Sequence, residues 1–133
     1  MSRPAARLGD KVTGLDRHIV LVPSPGGPVP TVMPFPFSGT LTGGCCANVL
    51  IGGQPAAVVG SKAVNLPPHL PPVPPGGSFL RPPDNSGTVT SGSAKVLIGG
   101  KPAARTGDTV TTCSDPLPGP NSKIISSCNV LIG

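Results

Sequence analysis

Apolar residues in this chain come in short, largely β-branched runs, and glycine breaks them at regular points. Val49-Leu50-Ile51 is followed by Gly52-Gly53, and Val96-Leu97-Ile98 by Gly99-Gly100. Each run, its glycine pair and the short segment beyond predict a β-hairpin. Asn129-Val130-Leu131-Ile132-Gly133 repeats the first half of that unit, and Pro4-Ala5-Ala6 repeats the second half. Together they predict a third hairpin, made from the two ends of the chain. Outside the hairpins, Gly9 to Thr13 and Gly107 to Thr111 share the pattern Gly-Asp-x-Val-Thr, which reads as an outgoing strand. Thr40-Leu41-Thr42-Gly43, Thr88-Val89-Thr90-Ser91-Gly92 and Lys123-Ile124-Ile125-Ser126 read as returning strands, because they alternate or are β-branched.

The repeat fixes the organisation. Pro-Ala-Ala occurs at Pro4, Pro55 and Pro102, with separations of 51 and 47 residues, and glycine follows each proline by five positions at Gly9, Gly60 and Gly107. Asp10 and Asp108 come next, with Ser61 in the middle copy. Beside a turn glycine, such residues suit a side-chain-to-backbone turn bond. Three hairpins with paired termini predict a closed all-β object: a small pseudo-threefold cone or pyramid with no exposed end repeat, which also removes the hazard of free strand edges. With 133 residues there is room for one domain, residues 1–133, carrying Pro-rich loop insertions at about 23–36 and 67–83. Those insertions predict polyproline II excursions without ladder partners.

Composition narrows the class. There are 19 glycines and 20 prolines, aromatics are 2 %, and Trp, Tyr and Glu are absent. So much Gly and Pro would suit a disordered chain, but disorder goes with low hydrophobicity and high charge. Here 37 % of residues are hydrophobic and 11 % charged, with mean hydropathy +0.17. A domain this poor in large apolar side chains needs a metal, disulfides or a partner to hold it. The net charge of +5 comes from scattered Lys and Arg residues, and Phe35, Phe37 and Phe79 are the only aromatic residues. Neither a basic arm nor a base-stacking surface is present, so no nucleic-acid partner is expected. No signal peptide and no membrane-spanning run is visible, so synthesis in a reducing cytosol is expected. There, Cys45, Cys46, Cys113 and Cys128 read as thiols or metal ligands.

His18 follows Pro4 by 14 residues, and His69 follows Pro55 by 14. The third copy has Cys113 eleven residues after Pro102. Threefold symmetry would gather His18, His69 and Cys113 where the outgoing strands end. Imidazole and thiolate are zinc donors, and a structural site takes four. The fourth would come from Cys128, Cys46 or Cys45; Cys128 completes the candidate set. No nucleophile elbow, phosphate loop or dinucleotide fingerprint is present, and no enzyme activity is expected.

Pro4-Ala5-Ala6-Arg7 and Pro102-Ala103-Ala104-Arg105 resemble the PAAR-repeat family (proline-alanine-alanine-arginine), with Val58 in place of Arg in the middle copy. The tracts Val49 to Gly53 and Thr88 to Pro102 are similar to it as well, as is Thr111-Thr112-Cys113 followed by Ile124-Ile125-Ser126. The resemblance implies a three-sided β-cone that holds zinc near its point through histidines and cysteine. Its broad base would cap the trimeric β-helical spike of a contractile injection apparatus: a type VI secretion system, an extracellular contractile injection system or a phage-like tail. The function implied is mechanical, a sharp tip that aids membrane puncture and leaves the cell as part of the injected particle. On this reading the base comprises Val49, Leu50, Ile51, Gly52, Val96, Leu97, Ile98, Gly99, Val130, Leu131 and Ile132. An alternative is an adaptor that docks secreted effector cargo through its Pro-rich loops.

Overall fold

The computed structural model describes residues 2–69 and 77–133, and in them strands are joined by turns and loops without a helix. The first seven strands are β1 (Arg3–Pro4), β2 (Lys11–Val22), β3 (Val29–Gly43), β4 (Cys46–Ile51), β5 (Gln54–Ala56), β6 (Lys62–Asn65) and β7 (Ser78–Phe79). There follow β8 (Ser86–Val89), β9 (Leu97–Ile98), β10 (Lys101–Pro102), β11 (Thr109–Thr112), β12 (Gly119–Ile125) and β13 (Leu131–Ile132).

Three two-stranded units form the base. β4 pairs with β5 and β9 with β10, each across a Gly-Gly turn. Both turn glycines are left-handed, with φ of 58° and 84° at Gly52 and Gly53, and 60° and 81° at Gly99 and Gly100. That is the backbone of a tight hairpin turn matching strand twist, and a side chain would strain it. The third unit has no turn. β1 pairs with β13, Arg3 opposite Ile132 and Pro4 opposite Leu131, so the ends of the chain close the base.

Above the base the strands form a ring. Neighbours run β2, β3, β6, β8, β11, β12 and back to β2, all antiparallel. Outgoing strands β2, β6 and β11 alternate with returning strands β3, β8 and β12, one pair from each repeat. The expected closed all-β cone is therefore the fold, and its threefold relation extends to single hydrogen bonds. Ala6 N–H donates to Ala104 O (2.9 Å), Ala104 N–H to Ala57 O (3.0 Å), and Ala57 N–H to Ala6 O (3.0 Å). This cycle is buried, with the three alanines at most 1 % exposed. Strand-like bridges pair Ala5 with Arg105, Ala56 with Arg7 and Ala103 with Val58 in the same rotation. Only a methyl group fits where three backbones meet, which is the physical content of the Pro-Ala-Ala repeat.

The turn bonds expected of Asp10 and Asp108 are present. Arg7 N–H donates to Asp10 Oδ2 (2.8 Å) and Arg105 N–H to Asp108 Oδ2 (2.7 Å). Ser61 Oγ accepts from Val58 N–H (3.0 Å), so the hydroxyl does the same work in the middle copy.

The core has two layers. The lower one holds Ala5, Ala56 and Ala103 with Ile51, Ile98 and Ile132. The upper one holds Ala6, Ala57 and Ala104 with Val12, Ala63, Val110, Leu41, Val89 and Ile124, one of each kind per repeat. Beyond it the ring narrows. A Cβ on Gly14 would collide with Ser122 Oγ and Asn121 O, so the β2–β12 seam closes only around a glycine.

Two sequence expectations need correction. Residues 29–36 are not a polyproline II excursion but the first half of β3, paired with β2 from Val22–Val29 inward. Ser38 N–H and O point away from β2, toward Asn65 Oδ1 and Leu66 N. Residues two, four and eight positions earlier share that direction, so Pro36, Pro34 and Pro30 lack an N–H only on the outer edge. Proline is tolerated at such a position and blocks further pairing. The second insertion, Pro67 to Pro83, includes residues 70–76, which lie outside the described residues. Its later part forms β7, paired with Val20 and Leu21 of β2.

The alanine cycle yields a prediction. Ala57→Leu places extra methylenes on the axis and should cost about 1–3 kcal/mol, read as a lower denaturation midpoint. An unchanged midpoint would mean the axis has room that the hydrogen-bond cycle denies.

Candidate metal centre

The inward face of β2 continues past the apolar layer with two chemically active side chains, Asp16 and His18. Alternation puts residues two apart on one face, and both are buried, at 0 % and 1 % exposure. His69 arrives four residues after Asn65 at the end of β6, and Cys113 follows the last residue of β11. One donor atom from each of Asp16, His18, His69 and Cys113 lies within 4.8 Å of every other.

Asp16 is the hub. Its Oδ2 accepts from His69 Nε2 (3.0 Å) and from Cys113 Sγ (3.2 Å), and its Oδ1 accepts from Thr112 Oγ1. Asn65 fixes the other side of His69. Ser38 N–H donates to Asn65 Oδ1 (2.8 Å), which turns the Asn65 amide nitrogen to His69 Nδ1 (3.2 Å). In this arrangement His69 accepts from Asn65 at Nδ1 and carries its proton on Nε2. Asn85 Oδ1 accepts from both the Asn65 amide (3.1 Å) and His69 N–H (2.7 Å).

His18 differs from its neighbours: both ring nitrogens are buried and neither has a hydrogen-bond partner. An unpaired buried polar atom costs about 1–3 kcal/mol, so a nitrogen left this way suits a lone pair held for an ion. Burial, with a smaller push from His69, keeps the His18 pKa below its ordinary value against the pull of Asp115 and Asp16. The imidazole is then neutral at neutral pH, the form that binds metal. Burial, then the adjacent Asp16 charge, pushes the Cys113 thiol up to about 12. A bound cation would reverse that balance, because a coordinating thiol is deprotonated. Two nitrogens, one carboxylate and one sulfur, mutually in reach and dry, fit a tetrahedral zinc-type ion.

All the chain's phenylalanines gather here. Phe35 and Phe79 lie edge-on to His18 at 5.6 and 5.7 Å between ring centres, and Phe37 lies 6.5 Å from His69. They exclude water from the centre and take the place of an apolar core at the narrow end.

Of the residues the sequence nominated, His18, His69 and Cys113 come together and Cys128 does not. Cys128 Sγ sits 3.1 Å from Ala5 O beside the lower core layer, level with the base hairpins. Cys46 packs against the same layer and Cys45 against the upper one. The fourth donor of the cluster is Asp16, whose signal in the sequence was its spacing of two from His18 on one strand. At the base, Ile51, Ile98 and Ile132 turn inward, while Leu50, Leu97 and Leu131 turn outward. Val49 and Val130 are exposed, Val96 is half-buried, and Gly52 and Gly99 make the turns.

A β-ring closed by the β12–β2 pairing, above a three-part base closed by the chain termini, with a buried Asp/His/His/Cys centre toward its narrow end, defines a pseudo-threefold cone. Residues 81–133, from the approach to β8 through β13, match the family model described as PAAR motif, which supports a place among the PAAR-repeat proteins. The motif supports a spike-tip-type protein of contractile injection systems. No curated protein matches the chain in sequence.

The raised Cys113 pKa sets a measurable expectation. With the thiol held near 12, on the order of one molecule in ten thousand is thiolate at pH 8, and the thiolate is the reactive form. In metal-free folded protein, iodoacetamide at pH 8 should leave Cys113 unmodified until denaturant is added. Peptide mapping by mass spectrometry would contradict this if Cys113 were labelled as fast as an unfolded thiol.

Proposed function

We propose that this protein is a zinc-stabilised tip that seats its base on the end of a trimeric spike and serves as a hard point for membrane puncture. The observation that carries the reading is at the base. Leu50, Leu97 and Leu131 occupy equivalent positions in the three hairpins and are 60 %, 64 % and 61 % exposed. Three matching apolar side chains around one axis are what a three-chain partner can meet with three identical contacts. Exposed apolar groups of this kind gain by burial, at roughly 25 cal/mol per Å² removed from water.

The metal supports the other end. Asp16 and His18 come from the first repeat, His69 from the second and Cys113 from the third, so one ion would tie all three. It would supply no chemistry beyond this cross-link. Asp16, His18, His69 and Cys113 would hold it, and the phenylalanines would keep water out. Such a tip would be made in the cytosol and leave with the injected particle.

Two measurements test the proposal. Elemental analysis of protein refolded with zinc should give about one zinc per chain. Zinc at 100 times its Kd should then stabilise the fold by about 2.7 kcal/mol, an effect lost in His18→Ala and Cys113→Ala. At the base, the unaltered chain should bind a trimeric spike one to three by native mass spectrometry. The combined Leu50→Asp, Leu97→Asp, Leu131→Asp variant, folded by circular dichroism, should not bind. Undiminished binding by that variant would remove the base from the account.

A further inference from the structure

Asp115 is not among the four clustered donors, yet it is held against one of them with unusual care. The segment after Cys113 is stitched to β2 on both sides of His18. Arg17 N–H donates to Ser114 Oγ (3.1 Å), and Asp115 N–H donates to Arg17 O (2.7 Å). On the far side, Ile19 N–H donates to Asp115 Oδ2 (2.9 Å). Asn121 of β12 braces the same segment through Ser114 Oγ (2.6 Å). These bonds leave the Asp115 carboxylate, its side chain 8 % exposed, with Oδ2 3.6 Å from His18 Nδ1. That imidazole is the one whose nitrogens have no hydrogen-bond partner.

We propose that Asp115 is a positioning residue for His18. Its carboxylate faces Nδ1 and selects the tautomer that carries the proton there, which leaves the Nε2 lone pair for a divalent transition metal. A carboxylate behind a metal-bound imidazole fixes ring orientation and raises ligand basicity, and losing such a partner typically weakens metal binding 10–100-fold. The two histidines are thus served differently. His69 meets a neutral amide, whereas His18 meets a carboxylate from the third repeat. The inference rests on the reading of the cluster as a metal centre.

The test is zinc competition against a chromophoric chelator, with the full chain, together with nitrogen NMR of the zinc-loaded imidazoles. Asp115→Ala should bind zinc about 10–100-fold more weakly. Asp115→Asn keeps an oxygen acceptor for both Nδ1–H and Ile19 N–H and should recover most of that loss. In the unaltered protein, which needs no variant to fold, His18 should show a protonated Nδ1 and a metal-shifted Nε2. Zinc on His18 Nδ1, or an Asp115→Ala variant that binds zinc as tightly as the unaltered chain, would overturn the assignment while leaving the centre intact. Failure of the unaltered chain to bind zinc would overturn both.

Discussion

Pairing between the first and last strands is the constraint on which the structure depends. β1 and β13 are only two residues each, yet they turn an open series of hairpins into a closed one. Ala5 N–H donates to Val130 O (2.8 Å) and carries the joint one step further in. Closure lets three Pro-Ala-Ala segments meet on one axis, and the alanine cycle needs all three. The ring of six strands then has no free edge at this level, so backbone groups find partners without a large side-chain core. This is how a chain with so few large apolar residues satisfies its polar backbone.

The taper follows from the same geometry. Near the base, isoleucines and alanines fill the space between the hairpins. One layer up, valine, leucine and isoleucine fill the ring. Beyond that the strands approach so closely that Gly14, and likewise Gly39, whose Cβ would meet Val64 O at 2.6 Å, admit no side chain. Past this waist the buried side chains are mainly polar ones and the phenylalanines, with Val20 and Cys113 beside them. A hydrophobic layer cannot be rebuilt there with three phenylalanines alone, and the Asp/His/His/Cys cluster occupies the centre instead. The wide end leaves Leu50, Leu97 and Leu131 exposed and the narrow end buries Asp16, His18 and His69, a departure from an ordinary domain surface and core.

Much of this was legible in the sequence because repetition converts position into geometry. The three copies of Pro-Ala-Ala and the split Val-Leu-Ile-Gly unit gave the hairpins, the closure and the pseudo-threefold axis. Equal offsets for His18 and His69 placed both at one level. What was hidden lay outside the repeat frame. Asp16 has no counterpart of its type in the other copies, where the same offset from the repeat proline holds Pro67 and Ser114, so symmetry could not nominate it. Cys128 was misassigned because cysteine chemistry outweighed its alignment with Ala47 and Ala94, which lie at the base. The length of β3 was masked by its prolines, which looked like loop residues but sit where a strand edge tolerates them. Asp115 reaches His18 through a segment joining β11 and β12, and no spacing rule connects residues 97 positions apart.

The central claim is the closure of the chain on itself, and it can be observed directly by NMR of the free monomer. The account predicts cross-strand nuclear Overhauser contacts between Arg3 and Ile132 and between Pro4 and Leu131, with the Ala5 amide exchanging slowly. Absence of those contacts, together with Ala5 exchange at the rate of an unstructured peptide, would contradict it.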